Sequence, residues 1–480
     1  MHSNLYLSFS CNSLINHEFI LVFSIFEAKD YRINIKVTIE RFQKQIEDLQ
    51  RMKYKDNSIR VFVFGDYQFL CALYGISGAT GRHCCLFCNA TSTDMKGIEC
   101  QSAEIKVRTL ENLYTDYKSF IEKGGRLNDA KHFNNVVTEP MLKIPLDQVS
   151  LPSLHMALGI YLNFFNFFED EVHELDVLLA AEEIKMTNNY TASYSEEYQI
   201  FVKEQKELSN LQCEIVCLNE KLQSINDIAL LAAIQNSDYG MNVQSLYNSD
   251  IDSINFKKGV KTNQYNTLMQ KHSLKKGQGP CTRQIEAVLQ KLNVQRQAYH
   301  GKSFIGNHVH KMLKKSSILE LCNSIPKLVY NKGLSGTDVH QTAVEISTKY
   351  KKLFDKFSQC YYIFSSKVIM TTEKLTLLKK NIEDLMQYFR ATFPNASVTP
   401  KLHMLENHAV PFLKKWGAGF GYYGEQGGES VHMEFNKLKT IYQSIPSPTM
   451  QLKSILKCHH QKTNPENILL KPCINKRKRK

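Results

Sequence analysis

The stretch RHCCLFCNA, residues 82–90, carries thiols at Cys85 and Cys88, and KLHMLENHAVPFL, residues 401–413, carries imidazoles at His403 and His408. A Cys-x2-Cys pair and a His-x4-His pair are the two halves of a donor set that holds Zn²⁺ tetrahedrally, with no position left open for catalysis. Each pair alone is a weak signal, because such spacings also arise incidentally. His403 follows Cys88 by 315 positions, which excludes a local zinc finger. It leaves a site in which distant segments meet.

Two carboxylates suggest a different chemistry. Asp66 stands directly after the apolar run IRVFVF (59–64) and Gly65, and before the helical pattern YQFLCALYGI. In open α/β sheets, functional groups collect just beyond the carboxyl ends of strands; the competing reading is an N-cap for the following helix. Glu429, in GEQGGES, falls at the start of a helix whose apolar positions are Val431, Phe435, Leu438, Tyr442 and Ile445. There it either favours the helix dipole or reaches a metal held by Asp66.

The elements that must position these groups start with FILVFSIF (19–26), short, continuous and rich in Phe, Ile and Val, as a doubly buried strand should be. IKVTIERFQKQIEDLQRM follows, with Ile35, Ile39, Phe42, Ile46 and Leu49 at the spacing of one helix face. IRVFVF then reads as a second strand, so a parallel pair with a right-handed crossover is expected, hence an α/β fold. After about residue 150 the pattern becomes helical. LPSLHMALGIYLNFFNFFEDEVHELDVLLAAEEI is one long helix, and Leu208, Leu211, Ile215, Leu218, Leu222 and Ile225 alternate by 3 and 4 as a coiled-coil seam. Polar residues over 236–280 read as a loop. RQAYHGKSFIGNH (296–308) is dense in polar rings and cations, suited to a site, a phosphate contact or a buried polar junction. The expected organisation is 1–150 with the Cys pair, an all-helical insertion over 151–395, 396–460 with the His pair and Glu429, and a basic tail over 461–480.

Composition is that of an ordinary globular protein, 43% apolar and 22% charged. The longest apolar run, FILVFSIF with its single serine, has eight residues, well short of the roughly 20 a membrane span requires, and no signal peptide is legible; a soluble intracellular protein is expected. Thirteen cysteines, an odd number unevenly spread, argue against a disulfide framework. A net charge of +13 permits a polyanionic partner such as nucleic acid, and the closing NKRKRK has the form of a nuclear localisation cluster.

The order GDYQF, CLFC, HMLENH, GEQGGES resembles the RNase H-like DDE transposases of eukaryotic cut-and-paste elements. The similar branch contains the V(D)J recombinase catalytic subunit and the Kyakuja-Dileera-Zisupton and hAT-like groups, and the resemblance spans roughly residues 17–460. It implies an RNase H-like domain interrupted by the helical insertion and a structural Zn²⁺ on Cys85, Cys88, His403 and His408. It also implies catalytic roles for Asp66, which precedes Cys85 by 19 positions, and Glu429, which follows His408 by 21. The segment GEQGGES favours Glu429 over Glu425. In such enzymes two Mg²⁺ or Mn²⁺ ions bridge the carboxylates for in-line attack at a phosphodiester. The implied partners are DNA and a second copy in a homodimer, and the implied location is the nucleus.

The chain departs from that pattern in one respect. Residues 1–29 contain no Asp; Asp30 follows FILVFSIF, and Glu18 and Glu27 are poorly placed for the family's first catalytic aspartate. The expectation is therefore a transposase lacking its front end, with its active site incomplete. Two other classes compete: a domesticated nuclear scaffold or regulator acting through the helical insertion, and an independent metal-dependent nuclease.

Overall fold

A computed structural model describes residues 32–97, 106–185, 195–235, 245–297, 303–424, 426–464 and 466–467, together with 238 and 242. The strand expected at 19–26, Asp30, Glu18, Glu27 and the NKRKRK tail lie outside these residues.

Among the described residues the protein is mainly helical. In chain order the helices are α1 (Arg32–Arg51), α2 (Tyr67–Tyr74), α3 (Leu110–Glu122), α4 (Ser153–Lys185), α5 (Glu196–Gln235), α6 (Asn248–Lys271), α7 (Pro280–Lys291) and α8 (Gly306–Met312). They continue with α9 (Lys315–Asn331), α10 (Asp338–Phe364), α11 (Thr372–Thr392), α12 (Pro400–His403), α13 (Ala409–Trp416), α14 (Phe420–Tyr423), α15 (Gln426–Ile441) and α16 (Pro448–Thr463). A two-residue hairpin, β1 (Lys53–Tyr54) with β2 (Asn57–Ser58), is the sheet found among them. The reading of 59–64 as a strand is thus corrected. That stretch is extended but makes a single parallel bridge, Val63 to Val149, closed by Val63 N–H donating to Gln148 O at 3.1 Å and Ser150 N–H to Val63 O at 2.8 Å. Apart from that bridge, no ladder forms on either side of the stretch among the described residues.

The helices form where the apolar period places them. In α1, Ile35, Ile39 and Ile46 are buried while the charged positions between them face solvent. In α2, Tyr67, Leu70, Cys71, Leu73 and Tyr74 are buried, so this helix is core on nearly every side. Gly75 ends it in the left-handed region at φ 80°, and a Cβ there would lie 1.8 Å from Thr138 O. Only glycine permits this reversal, which sends the chain into the Cys-x2-Cys loop.

The chain gathers into two compact units. One draws on Met1–Leu162, Gln297–Leu313 and Leu353–Lys480, the other on Asn163–Arg296 and Lys314–Lys352. In the second unit, the Asp176 carboxylate inside α4 caps α7, accepting from Cys281 N–H at 2.6 Å and from Thr282 N–H and Oγ1 at 3.0 and 2.9 Å. Arg296, at the head of the polar stretch 296–308, is buried between Glu169 and Glu286, 2.6 Å from each, with its guanidinium over the Phe165 ring. The first residue of that stretch is therefore polar packing at a junction.

The loop expected over 236–280 is also corrected, since α6 occupies most of it. Its half-buried positions Ile251, Ile254, Lys258, Lys261, Tyr265 and Leu268 repeat by 3 and 4 and pair with the seam of α5. Lys261 meets Glu214 at 2.7 Å, and His272 stacks on Phe201 with ring centroids 4.1 Å apart. Rising numbers on one helix match falling numbers on the other, so the pair is antiparallel.

Candidate metal centre

A loop and a helical turn of the first unit bring the four candidate ligands together. The Cys loop leaves Gly75 and is pinned by buried groups on both sides. Tyr67 donates its hydroxyl to Cys84 O and accepts from Leu86 N–H at 3.1 Å. Arg108, fully enclosed, donates Nε to Cys88 O at 2.9 Å and Nη2 to Asn134 O at 2.8 Å and His83 O at 3.3 Å. A bridge between Cys88 and Val107 sets Arg108 in that position. Burial pulls the Arg108 guanidinium below its ordinary value, and the charges of Cys85 and Cys88 oppose that pull.

The His side rests on a local change of helix type. In an α-helix two residues five apart point about 140° away from each other. Met404–His408 is instead a π-turn, in which Ala409 N–H donates to Met404 O across five residues. This winding places His403 and His408 on one face, with ring centroids 5.1 Å apart. The His-x4-His spacing and the π-turn are the same fact seen in sequence and in space.

Cys88 Sγ lies 3.2 Å from His403 Nε2 and Cys85 Sγ 3.4 Å from His408 Nε2; all four ligand atoms lie within 4.8 Å of one another. Tetrahedral Zn²⁺ with ordinary bond lengths separates sulfur and nitrogen ligands by about 3.5 Å, so the donor set fits zinc in both chemistry and spacing. Cys85, Cys88 and His403 are buried. The third cysteine of the loop, Cys84, turns away to Met95 Sδ at 4.0 Å.

The cluster is poised for a cation. A hydrogen bond from the Cys85 thiol pushes Cys88 down to about 2, burial works against it, and His403 and His408 add to the fall. Burial in turn pushes the Cys85 thiol well up. A zinc ion there would require both thiols as thiolates.

Three supporting residues were not legible from the sequence. Glu406, between the two histidines, takes a bidentate grip from Arg390 of α11, Nη1 to Oε1 at 2.8 Å and Nη2 to Oε2 at 2.9 Å, with Nη2 also 3.4 Å from Met95 O. Asn407 Nδ2 lies 3.0 Å from His403 Nδ1 and donates to His403 O at 3.4 Å. With Nε2 on a metal, Nδ1 would carry the proton and the amide would turn its oxygen toward it. Arg108 is the third. The signal for Glu406 and Asn407 was their position inside HMLENH, polar residues in an otherwise apolar setting.

The two expected catalytic carboxylates stand differently. Asp66 is the N-cap of α2, with Oδ1 accepting from Phe69 N–H at 2.8 Å. The cap uses one oxygen, so it leaves the other for a second role. Glu429 lies in the first turns of α15, and its side chain is outside the described residues. No protein-family model matches the chain, and no curated protein does.

Proposed function

We propose that the protein is a transposase-derived, zinc-stabilised nuclear DNA-binding protein built on an RNase H-like domain, whose DDE-type phosphodiester-transfer site is incomplete in this chain. The observation that carries the reading is the Cys85, Cys88, His403 and His408 quartet, assembled across 315 positions and at the places in the order GDYQF, CLFC, HMLENH, GEQGGES that the resemblance assigns to metal ligands. Zinc there supplies a structural crosslink. Its four protein ligands fill the tetrahedron, so chemistry belongs elsewhere, at Asp66 and Glu429.

Asp66 remains compatible with that role because capping α2 engages a single carboxylate oxygen. Residues 1–29 hold no aspartate to complete the set. The expected result is DNA binding without strand transfer or hairpin formation in Mg²⁺ or Mn²⁺. The test incubates the chain with a range of element-end DNAs and either metal, beside Asp66→Ala. Metal-dependent cleavage that the substitution abolishes would overturn incompleteness, and absence of any DNA binding would overturn the DNA-binding reading.

A second reading draws on the α5–α6 pair, which exposes Leu230, Leu231, Ile234 and Phe256 to solvent. In that reading the protein is a scaffold acting through protein partners. A scaffold ignores DNA, whereas phosphate contacts give binding that weakens steeply with salt.

A further inference from the structure

The last described helix, α16, has two chemically opposed faces. Its inner face packs Ile455 against Val431, Phe435 and Leu438 of α15, and His459 and Lys462 both meet Glu434 there, at 3.3 and 2.7 Å. Its outer face presents Lys453, Lys457, His460, Gln461 and Asn464, which recur at the spacing of one helix stripe and, with Asn467, line a shallow groove of about 390 Å³. Every polar residue lining it can donate a hydrogen bond, and no carboxylate does so. Residues 448–463 contain no Asp or Glu at all.

In sequence, the charge of the chain is concentrated toward the same end, with Lys453, Lys457 and Lys462 on the helix itself. From Pro448 onward the sequence holds nine Lys and Arg against the single acid Glu466, which is +8 of the chain's +13. Lys453 and Lys457 stand about 6 Å apart along the helix axis, close to two nucleotide steps of about 3.4 Å on one strand. Two ammonium groups with amide and imidazole donors beside them, and no carboxylate among them, are an inventory that meets phosphate oxygens. A peptide partner would need a buried apolar anchor, and Leu456 is the one apolar residue in the groove.

We propose that the outer face of α16 is a phosphate-contacting surface that follows the backbone of a DNA strand, with Lys453 and Lys457 as its two charged contacts. The proposal rests on the DNA-binding reading above and adds the location.

The experiment measures binding of the zinc-loaded full chain to a labelled random-sequence duplex by anisotropy across a NaCl series. The double variant Lys453→Glu/Lys457→Glu is compared with a charge-matched control, Lys374→Glu/Lys380→Glu on α11. All four side chains are exposed, so zinc content and helical signal should stay unchanged in both variants. The α16 variant should bind about tenfold more weakly, with the slope of log K against log salt smaller by about 2, since each lost contact removes roughly 0.9. The control should change affinity less than about twofold. Equal losses in both variants, or an unchanged slope in the α16 variant, would overturn the surface and leave DNA binding standing. Failure of the unsubstituted chain to bind DNA would defeat both. Equal affinity for polyglutamate at matched salt would assign the face to an acidic protein partner and also overturn it.

Discussion

The Cys85, Cys88, His403 and His408 cluster and the α5–α6 pair both join segments distant in sequence, by opposite means. At the Cys/His cluster four side chains from one loop and one π-wound helical turn converge within 4.8 Å, supported by enclosed groups such as Arg108 and Glu406. Along α5 and α6 the contact is long and repetitive. Leu208 and Leu211 are buried, but Ile215, Leu218, Leu222 and Ile225 are half-buried, and α6 has no buried residue. The first arrangement concentrates its stabilisation in a few irreplaceable groups. The second spreads it over many groups, each of which contributes little.

The sharpest way to break this comparison is to remove the metal. Zinc binding in small Cys/His peptides is worth on the order of 10 kcal/mol, comparable with the whole stability of a domain. Cys88→Ser or His403→Ala should therefore abolish stoichiometric zinc, measured by plasma emission, and remove one cooperative thermal transition while leaving much of the helical signal. A single unchanged melt after chelation would show that the centre carries no such load.

Glu406→Gln should come next. The Arg390 and Glu406 side chains are 13% and 2% exposed, and removing one partner of an enclosed pair costs about 3–5 kcal/mol because the other charge stays buried. Denaturant titration reads this directly. Restoration of stability by a second, apolar substitution at Arg390 would confirm that the cost lies in the orphaned charge.

Asn407→Ala should be milder and more specific. Loss of a group that orients a ligating histidine lowers metal affinity about 10- to 100-fold, so competition with a chromogenic chelator should show weaker zinc binding in a folded protein. Unchanged affinity would remove Asn407 from the centre's support.

On the α5–α6 side the effects should shrink. Leu222→Ala, at a half-buried seam position, should cost about 1 kcal/mol, below the 2–5 of a fully enclosed leucine. Lys261→Ala breaks a pair with Glu214 whose side chains are 37% and 51% exposed, and should cost a few tenths of a kcal/mol at most. A cost above 2 kcal/mol for either, by urea unfolding, would mean that this pair too relies on concentrated contacts.

The difference in chemistry also explains what the sequence disclosed. Thiols and imidazoles are scarce and spaced by ligand geometry, so Cys85, Cys88, His403 and His408 could be picked out although nothing in the sequence shows them touching. Half of the helical pair was equally plain, because α5 shows its heptad in leucine and isoleucine. Its partner was hidden, because α6 places Lys258 and Lys261 at seam positions and so reads as polar. The bridge of Arg390 to Glu406 left no local pattern; a pairing between distant residues of ordinary type exists only once the fold is formed. The expected strand at 59–64 shows the converse, apolar residues of strand type held by one bridge to Val149. For Asp66, the N-cap reading, one of two left open, is the geometry observed.

The 315 positions that separate Cys88 from His403 also set a clock. At roughly 5–20 residues per second of synthesis, the paired thiols emerge about 15–60 s before the first imidazole that completes their site. Throughout that interval they are half of a metal site, open to whatever thiophilic ion or oxidant they meet. Any chain that ends early between Cys88 and His403 keeps them so. On the zinc reading, the order of synthesis completes the quartet only once the chain has been made through to residue 408.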